Sequence, residues 1–389
     1  NFVGPLEPMV AVDSHHEGEA LVQHLAKADP DLDPIWGLLL GTADEPEFQD
    51  SEATPALRSE GLAVPHTETS DEEEESVSDR GAENGDTLAG SARTISNVVD
   101  KVAVPADKFQ LPCQDTEDAV ASRVTRHDVA GCDAFYLDDV LTPEECSALV
   151  DQAEGLWTFW ENDPERPRIS FRNAHTVEVT HEELAERIWY RVGKLVQPSV
   201  SVMSEDDPRF EVDIKGTWVP YAMNPNLLLS RYLDGGHFSP HTDGTTVVDF
   251  NRRTFYSCVL FLNSSPWGGH TRIYKDAQMQ QELRKDEQGR LTGDPSLVLE
   301  AVPPKPGRML VFYHRLMHEG VPAAEKYIIR SDVLYRRTPE ICTAPEDKEA
   351  FKMYEDAQLC AENGDCDAAA DLFRRAFKLS PALKEVYKM

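Results

Sequence analysis

Two imidazoles and one carboxylate in this chain are spaced so that they could share a metal ion. His241 and Asp243 stand one residue apart, and His318 follows seventy-five residues after Asp243. Two histidines and a carboxylate can occupy one face of Fe(II) and leave the other open for a cosubstrate and oxygen. Residues i and i+2 of a strand share a face, so His241 and Asp243 can both reach one ion if they lie on a strand. His318 must then arrive on a second strand laid alongside. The tripeptide alone is a weak signal, because Ser239-Pro240-His241-Thr242-Asp243-Gly244 is rich in turn formers and reads also as an ordinary turn.

The flanking sequence supplies the elements that would position these groups. Leu227-Leu228-Leu229-Ser230-Arg231-Tyr232 is an apolar run leading toward His241. Tyr256 to Asn263 has the pattern of a buried strand. Trp267-Gly268-Gly269-His270-Thr271 is a glycine turn leading into a strand. Pro306-Gly307 opens Arg308 to Tyr313, a further strand that leads to His318-Glu319-Gly320-Val321-Pro322. Ile328 to Arg336 is the last strand of the series.

In this order, these elements resemble the Fe(II)/2-oxoglutarate-dependent dioxygenases, most closely their prolyl 4-hydroxylase-like branch. The resemblance spans roughly residues 130 to 338. It rests on Tyr232, His241-Thr242-Asp243, Gly268-Gly269-His270-Thr271, Pro306-Gly307 with Phe312, and His318 with Gly320 and Pro322. Asp138 to Cys146 also looks like the entry helix of that family, with Thr142 as N-cap and Glu145 completing a capping box.

The resemblance implies Fe(II) on His241, Asp243 and His318, with 2-oxoglutarate and O2 as cosubstrates and ascorbate as an auxiliary. It implies that Tyr232, nine residues before the first ligand, hydrogen-bonds the 2-oxoglutarate carboxylate, with Thr271 as a second donor. A basic residue after His318 should meet the distal carboxylate. Lys326-Tyr327 has the basic–aromatic form common in prolyl hydroxylases, whereas Arg330 opens the pattern Arg330-x-Asp332-Val333-x-Tyr335-Arg336 used by related oxygenases. Arg330 is favoured, because a planar guanidinium matches a carboxylate bidentately; Lys326 is the alternative. The implied reaction is hydroxylation of a protein side chain, prolyl first, with release of succinate and CO2.

The chain departs from the family pattern in two places. His270 stands where many relatives have Glu. Residues 275 to 300, rich in Lys, Gln, Glu and Asp, read as an inserted surface loop and candidate lid. His237 and His314 flank the ligands and are expected to face solvent or to hydrogen-bond around the site. His270 is expected on a strand surface, and Cys258 in the core.

The 389 residues carry a net charge of −32, unevenly spread. The first hundred hold twenty-three Asp/Glu against four Lys/Arg. Such an acidic chain is a poor match for a phosphate backbone, so nucleic acid is not an expected partner. Residues 1–120 read as an acidic, mostly disordered segment, since they offer little apolar surface to offset ordering. Within it, Ser70 precedes an acidic run, Glu17 to Ala26 has helical character, and Ile35 to Leu40 is a short apolar island. Seven cysteines without Cys-x-x-Cys pairs argue against a disulfide scaffold or structural zinc. With no stretch of membrane-spanning length and no visible signal peptide, a cytoplasmic or nuclear compartment is expected.

The expected architecture is mainly β with flanking helices. It is a double-stranded β-helix, or jelly roll, over residues 121–340, with helices at 142–155 and 181–196 packed outside. Leu184, Ile188, Val192 and Leu195 form one stripe of the second helix. Residues 346–389 resemble a single tetratricopeptide-type helical hairpin, on Ala357, Gly364, Ala369, Phe373, Ala376 and Pro381, with its turn at Asn363-Gly364. A lone repeat is either a docking surface for a protein partner or a buttress packed on the catalytic domain. A second class of function therefore stays open, in which the oxygenase fold is inert and the hairpin and acidic segment recruit partners.

Overall fold

The apolar runs form antiparallel strands that curl around a shared interior, as the computed structural model shows for residues 108–112, 116–160 and 169–387. The helix-like and apolar stretches of the first hundred residues, and Ser70, lie outside the described residues. The strands that build the site are β1 (Thr125–Asp128), β2 (Ala134–Asp138), β3 (Arg172–Asn173), β4 (His175–Thr180) and β5 (Gly216–Met223). They continue with β6 (Asn226–His241), β7 (Arg252–Phe261), β8 (Thr271–Tyr274), β9 (Val298–Val302), β10 (Met309–Tyr313) and β11 (His318–Thr338). The main order is β1-β2-β10-β7-β11-β6-β4, with β5 and β8 also paired to β11, β9 to β8 and β3 to β6. All of these pairs are antiparallel.

β11 is the hinge of the arrangement. Its first residues pair with β8, and its later ones with β7 and β5, while β6 runs beside most of its length. The register against β6 shifts three times between His318 and Glu325. Such irregularities bend a strand and let it serve both sheets of a jelly roll.

The two faces of β7 explain why it is buried at every position but the first. Val259 and Phe261 point into an interior cluster with Tyr232, Ile273, Leu310, Phe312 and Ile328. Phe255, Cys258 and Leu260 point the other way, into a larger cluster beneath the helices. A strand covered on both faces reads as a continuous apolar run. Cys258 is in that core, as expected.

Three helices flank the sheet, α1 (Glu117–Ala121), α2 (Pro143–Ala153) and α3 (Glu182–Val192). α2 starts on the expected capping box: Thr142 Oγ1 accepts from Glu145 N at 3.2 Å, and Thr142 N donates to Glu145 Oε2 at 2.9 Å. α3 buries Leu184, Ile188 and Val192, with Leu195 packed just beyond its end. Both helices are shorter than the sequence suggests, because α2 begins only after its cap and α3 ends at Gly193.

The expected boundary at residue 120 is corrected. Phe109 and Leu111 are buried, and Glu117 on α1 pairs with Arg187 at 2.7 Å and Arg191 at 2.6 Å on α3. Composition marks this stretch as acidic, but two arginines on a neighbouring helix hold it. No helix among the described residues is long and apolar enough to cross a membrane.

The C-terminal region is a helical hairpin, α4 (Pro345–Glu362) and α5 (Cys366–Leu379), followed by α6 (Pro381–Val386). The turn falls at Asn363-Gly364, with Gly364 at φ +79°. The hairpin packs on the strand-rich part of the chain through aromatic rings: Phe250 lies 4.8 Å from Phe351 and 6.5 Å from Tyr387, ring centre to ring centre. Asn251 and Ile341 exchange two hydrogen bonds at the junction, at 2.7 and 2.9 Å. Of the two readings of the hairpin, the buttress matches these contacts.

Candidate metal and cosubstrate site

β6 and β11 bring the two histidines together, because His318 is the register partner of His241. Their rings lie 4.2 Å apart, centre to centre. β6 ends at His241, so Asp243 is on the following loop, not on the strand as the i, i+2 argument assumed. Its backbone N–H donates to His314 O at 2.8 Å, and this bond turns the carboxylate toward the imidazoles. His241, Asp243 and His318 offer ligand atoms within 4.8 Å of one another, the only such group among the described residues.

The second nitrogen of each ring decides what the first can do. His241 Nδ1 faces Ser239 O at 2.8 Å, and His318 Nδ1 faces Leu316 O at 3.0 Å. A carbonyl only accepts, so each neutral ring carries its proton on Nδ1 and leaves an Nε2 lone pair free. His241 Nε2 is 3.7 Å from Asp243 Oδ1, and His318 Nε2 is 3.8 Å from Asp243 Oδ2. Burial pushes His241 down to about 3 and lowers His318 as well, so both rings are neutral and free to offer a lone pair. Burial opposes ionisation of Asp243, but Arg330 and the two imidazoles outweigh it and hold its carboxyl well below the usual range. Two lone pairs and an anion converging without ordinary hydrogen bonds among themselves fit a divalent metal ion.

Aromatic rings wall the ligands. Phe238 stacks on His241 at 3.6 Å, and Phe312 lies 4.4 Å from His318. Phe312 was part of the sequence motif; Phe238 carried no sequence signal.

The cosubstrate candidates separate into two groups. Tyr232 and Lys326 are register partners on β6 and β11, and both are buried. Lys326 Nζ lies 4.5 Å from the centre of the Tyr232 ring. Thr271, also buried, faces Gly320 across β8 and β11. A Cβ at Gly320 would come within 3.0 Å of Lys326 Nζ, so this glycine keeps space open beside the ammonium. Burial, then the nearby Arg172 charge, pushes Lys326 down to about 7. No carboxylate pairs with it among the described residues.

Arg330 has a different environment. It grips Asp332 with both nitrogens, Nη1 to Oδ2 at 3.2 Å and Nη2 to Oδ1 at 3.1 Å, and its Nη2 is 3.6 Å from Asp243 Oδ2. Asp332 is 2% exposed; burial, offset in part by Arg330, pushes it up to about 6. The guanidinium favoured as cosubstrate anchor is thus already spent on two carboxylates of its own chain.

The histidines that flank the ligands are buried, not facing solvent. His237 is 3% exposed, with Nε2 3.1 Å from Ser170 O, and His314 is 4% exposed, with Nε2 2.9 Å from Thr245 Oγ1. The hydrogen-bonding half of the expectation matches both. His270 is half-buried just before β8 and is not among the clustered ligands.

The insertion at 275–300 is tied down. Thr292 Oγ1 donates to Glu319 Oε2 at 2.9 Å, Leu291 N donates to Ser170 O at 3.1 Å, and Ser239 Oγ donates to Leu291 O at 2.7 Å. Glu319, beside His318, is 3% exposed and also pairs with Arg272 at 2.9 Å. These bonds make the insertion a wall fastened to β6 and β11, in place of the lid its composition suggested. The turn before it depends on Gly268 at φ +65°, where any Cβ would collide with Pro322 O.

Residues 227–331 match the family described as the 2OG-Fe(II) oxygenase superfamily. The chain carries a 2OG-Fe(II) oxygenase domain. Among solved structures, a prolyl-4-hydroxylase from Pseudomonas putida is 15% identical, with a TM-score of 0.32 over 57% of this chain and 99% of that one. A prolyl hydroxylase from Trichoplax adhaerens, bound to a peptide fragment of a hypoxia inducible factor, is 16% identical, with a TM-score of 0.33 over 56% and 88%. A non-heme α-ketoglutarate-dependent epimerase of nogalamycin biosynthesis is 14% identical, with a TM-score of 0.31 over 57% and 80%. Likenesses this distant leave the substrate of the oxygenase domain open. No curated protein matches the chain.

Proposed function

We propose that the protein is an Fe(II)- and 2-oxoglutarate-dependent dioxygenase that hydroxylates a prolyl side chain in a peptide or protein. The observation that carries the reading is the convergence of two unprotonated Nε2 atoms and the Asp243 carboxylate, each ring braced from behind by a carbonyl. Prolyl as the target is supported by the motif order and by the basic–aromatic Lys326-Tyr327 step.

In this reading His241, His318 and Asp243 hold the metal. Lys326, in place of Arg330, receives the distal carboxylate of 2-oxoglutarate, with Tyr232 and Thr271 as hydroxyl donors. The argument is electrostatic: a buried ammonium without an anion is costly until one arrives, whereas Arg330 is already neutralised by Asp332. When bound, iron and cosubstrate supply the oxidising power for C–H hydroxylation, with succinate and CO2 as coproducts. Phe238 and Phe312 keep water from the ligand rings, and Arg330 restrains the Asp243 oxygen nearest to it.

Anaerobic titration with Fe(II) and 2-oxoglutarate tests the cofactor half. A visible metal-to-cosubstrate charge-transfer band that disappears in His241→Ala supports it. Absence of the band in the unaltered chain overturns it and favours the inert adaptor. A library of proline-containing peptides, read by mass for addition of one oxygen, tests the prolyl half.

A further inference from the structure

We propose that Arg172 forms an anion site beside the metal ligands that selects a substrate bearing an acidic group next to the hydroxylated residue. The inference deepens the reading above, and its peptide arm rests on it. Arg172 lies on β3, opposite Phe238 of β6. Its guanidinium sits 4.5 Å from the centre of the Phe238 ring and 5.3 Å from that of Trp160. Phe238 in turn stacks on His241. The Arg172 charge therefore stands one ring away from a metal ligand, close enough to disfavour the protonated forms of both His241 and Lys326.

The partners of Arg172 do not satisfy it. Among the described residues its guanidinium makes one hydrogen bond, from Nη2 to Ser230 Oγ, at 3.3 Å. Its Nε is buried and has no acceptor, and no carboxylate pairs with it among the described residues. Three other arginines of the domain, by contrast, face carboxylates. Arg191 has Glu117 and Glu145, Arg253 has Glu211 and Asp213, and Arg330 has Asp332. Two aromatic faces offset part of the cost of holding a cation here, but they use none of its N–H donors.

Charge balance points the same way. In the loaded site the two charges of the metal ion cancel the two of 2-oxoglutarate. Arg330, Lys326 and Arg172 then set three positive charges against the two of Asp243 and Asp332, and Arg330 is the one that lies against both carboxylates. One positive charge is left over, and with Lys326 facing 2-oxoglutarate it falls to Arg172. A planar guanidinium with open donors is the side chain best suited to a carboxylate, so the substrate should bring one.

The test uses the full chain loaded with Mn(II) and 2-oxoglutarate, without oxygen, in a calorimeter. The probes are a capped peptide with Glu beside proline, its Gln isostere, and inorganic phosphate. The Glu peptide should bind about tenfold tighter than the Gln peptide, the worth of one charge-assisted hydrogen bond. That preference should vanish in Arg172→Gln, persist in part in Arg172→Lys, and pass to a Lys peptide in Arg172→Glu. The affinity for 2-oxoglutarate should stay within about threefold in every variant whose melting temperature is unchanged, since a shift below ~0.7 kcal/mol leaves no room for a lost ion pair. Equal binding of Glu and Gln peptides overturns the proposal. So does an Arg172→Gln variant that weakens 2-oxoglutarate itself, which would assign Arg172 to the cosubstrate. If no peptide binds but phosphate does, and only with Arg172 present, the anion site stands and the prolyl reading fails. If neither binds, the anion site is refuted.

Discussion

Exchanging the charges of Lys326 and Arg330, one at a time, separates their roles. Lys326 is 2% exposed and has no anionic partner among the described residues, so Lys326→Met removes a desolvated charge and breaks no ion pair. The fold should be as stable or more so. The distal carboxylate of 2-oxoglutarate, however, would lose its only buried cation and keep just two hydroxyl donors. Removing one partner of a desolvated charged contact costs about 3 kcal/mol, or roughly a hundredfold in Kd. Arg330→Met has the opposite signature. It leaves Asp332 and Asp243 facing each other without a cation, at a cost of roughly 3 kcal/mol and about 10 °C in melting temperature for a domain of this size. Metal affinity should fall with it, while 2-oxoglutarate binding to the metal-saturated protein changes little. Calorimetric titration of Mn(II), then of 2-oxoglutarate, with a thermal melt of each variant, reads all three quantities. The pH adds a check. Only the charged ammonium attracts the carboxylate, and Lys326 sits near 7. Cosubstrate affinity should be flat below that pH and weaken about tenfold per unit above it, and this dependence should be absent in Lys326→Met. The reasoning is refuted if Arg330→Met loses 2-oxoglutarate with an unchanged melt while Lys326→Met binds it normally.

Three other outcomes follow from the same structure. Gly320→Ala places a methyl 3.0 Å from Lys326 Nζ and should raise the KM for 2-oxoglutarate about tenfold, with Mn(II) affinity unchanged by calorimetry. Glu145→Gln strips a carboxylate from Arg191, whose side chain is fully buried, and should lower the melting temperature by about 10 °C, or roughly 3 kcal/mol, without altering turnover per folded molecule. Burial works against ionisation of Asp138, but Arg308 at 2.7 Å outweighs it and lowers its pKa from 3.8. The stability from this pair is full above the ordinary value and lost as pH falls through the lowered one; acid unfolding below about pH 4 should therefore be shallower in Asp138→Asn, as monitored by circular dichroism.

The sequence by itself determined those features that local chemistry controls. His241, Asp243 and His318 were legible because few other residue sets hold Fe(II) from one face. The capping box at Thr142 and Glu145, the apolar stripe of α3 and the Asn363-Gly364 turn were legible because each depends on contacts within one or two helical turns. Only the tertiary structure separates the surroundings of Lys326 from those of Arg330. Both lie an even number of residues after His318, so strand alternation cannot tell them apart; what differs is that a loop carries Asp243 back toward Arg330, while Lys326 lies beside Tyr232, Gly320 and a second cation and has no carboxylate partner among the described residues. Arg172 was equally invisible, since it lies in no motif and matters only because β3 pairs with β6 at Phe238. The insertion became a wall for the same reason: Glu319 is next to His318 in sequence, but its hydrogen bonds to Thr292 and Gly293 exist only after the chain has folded back across more than twenty residues. Residue type sets which chemistry is available; which charges remain unpaired to perform it is set by distances between strands.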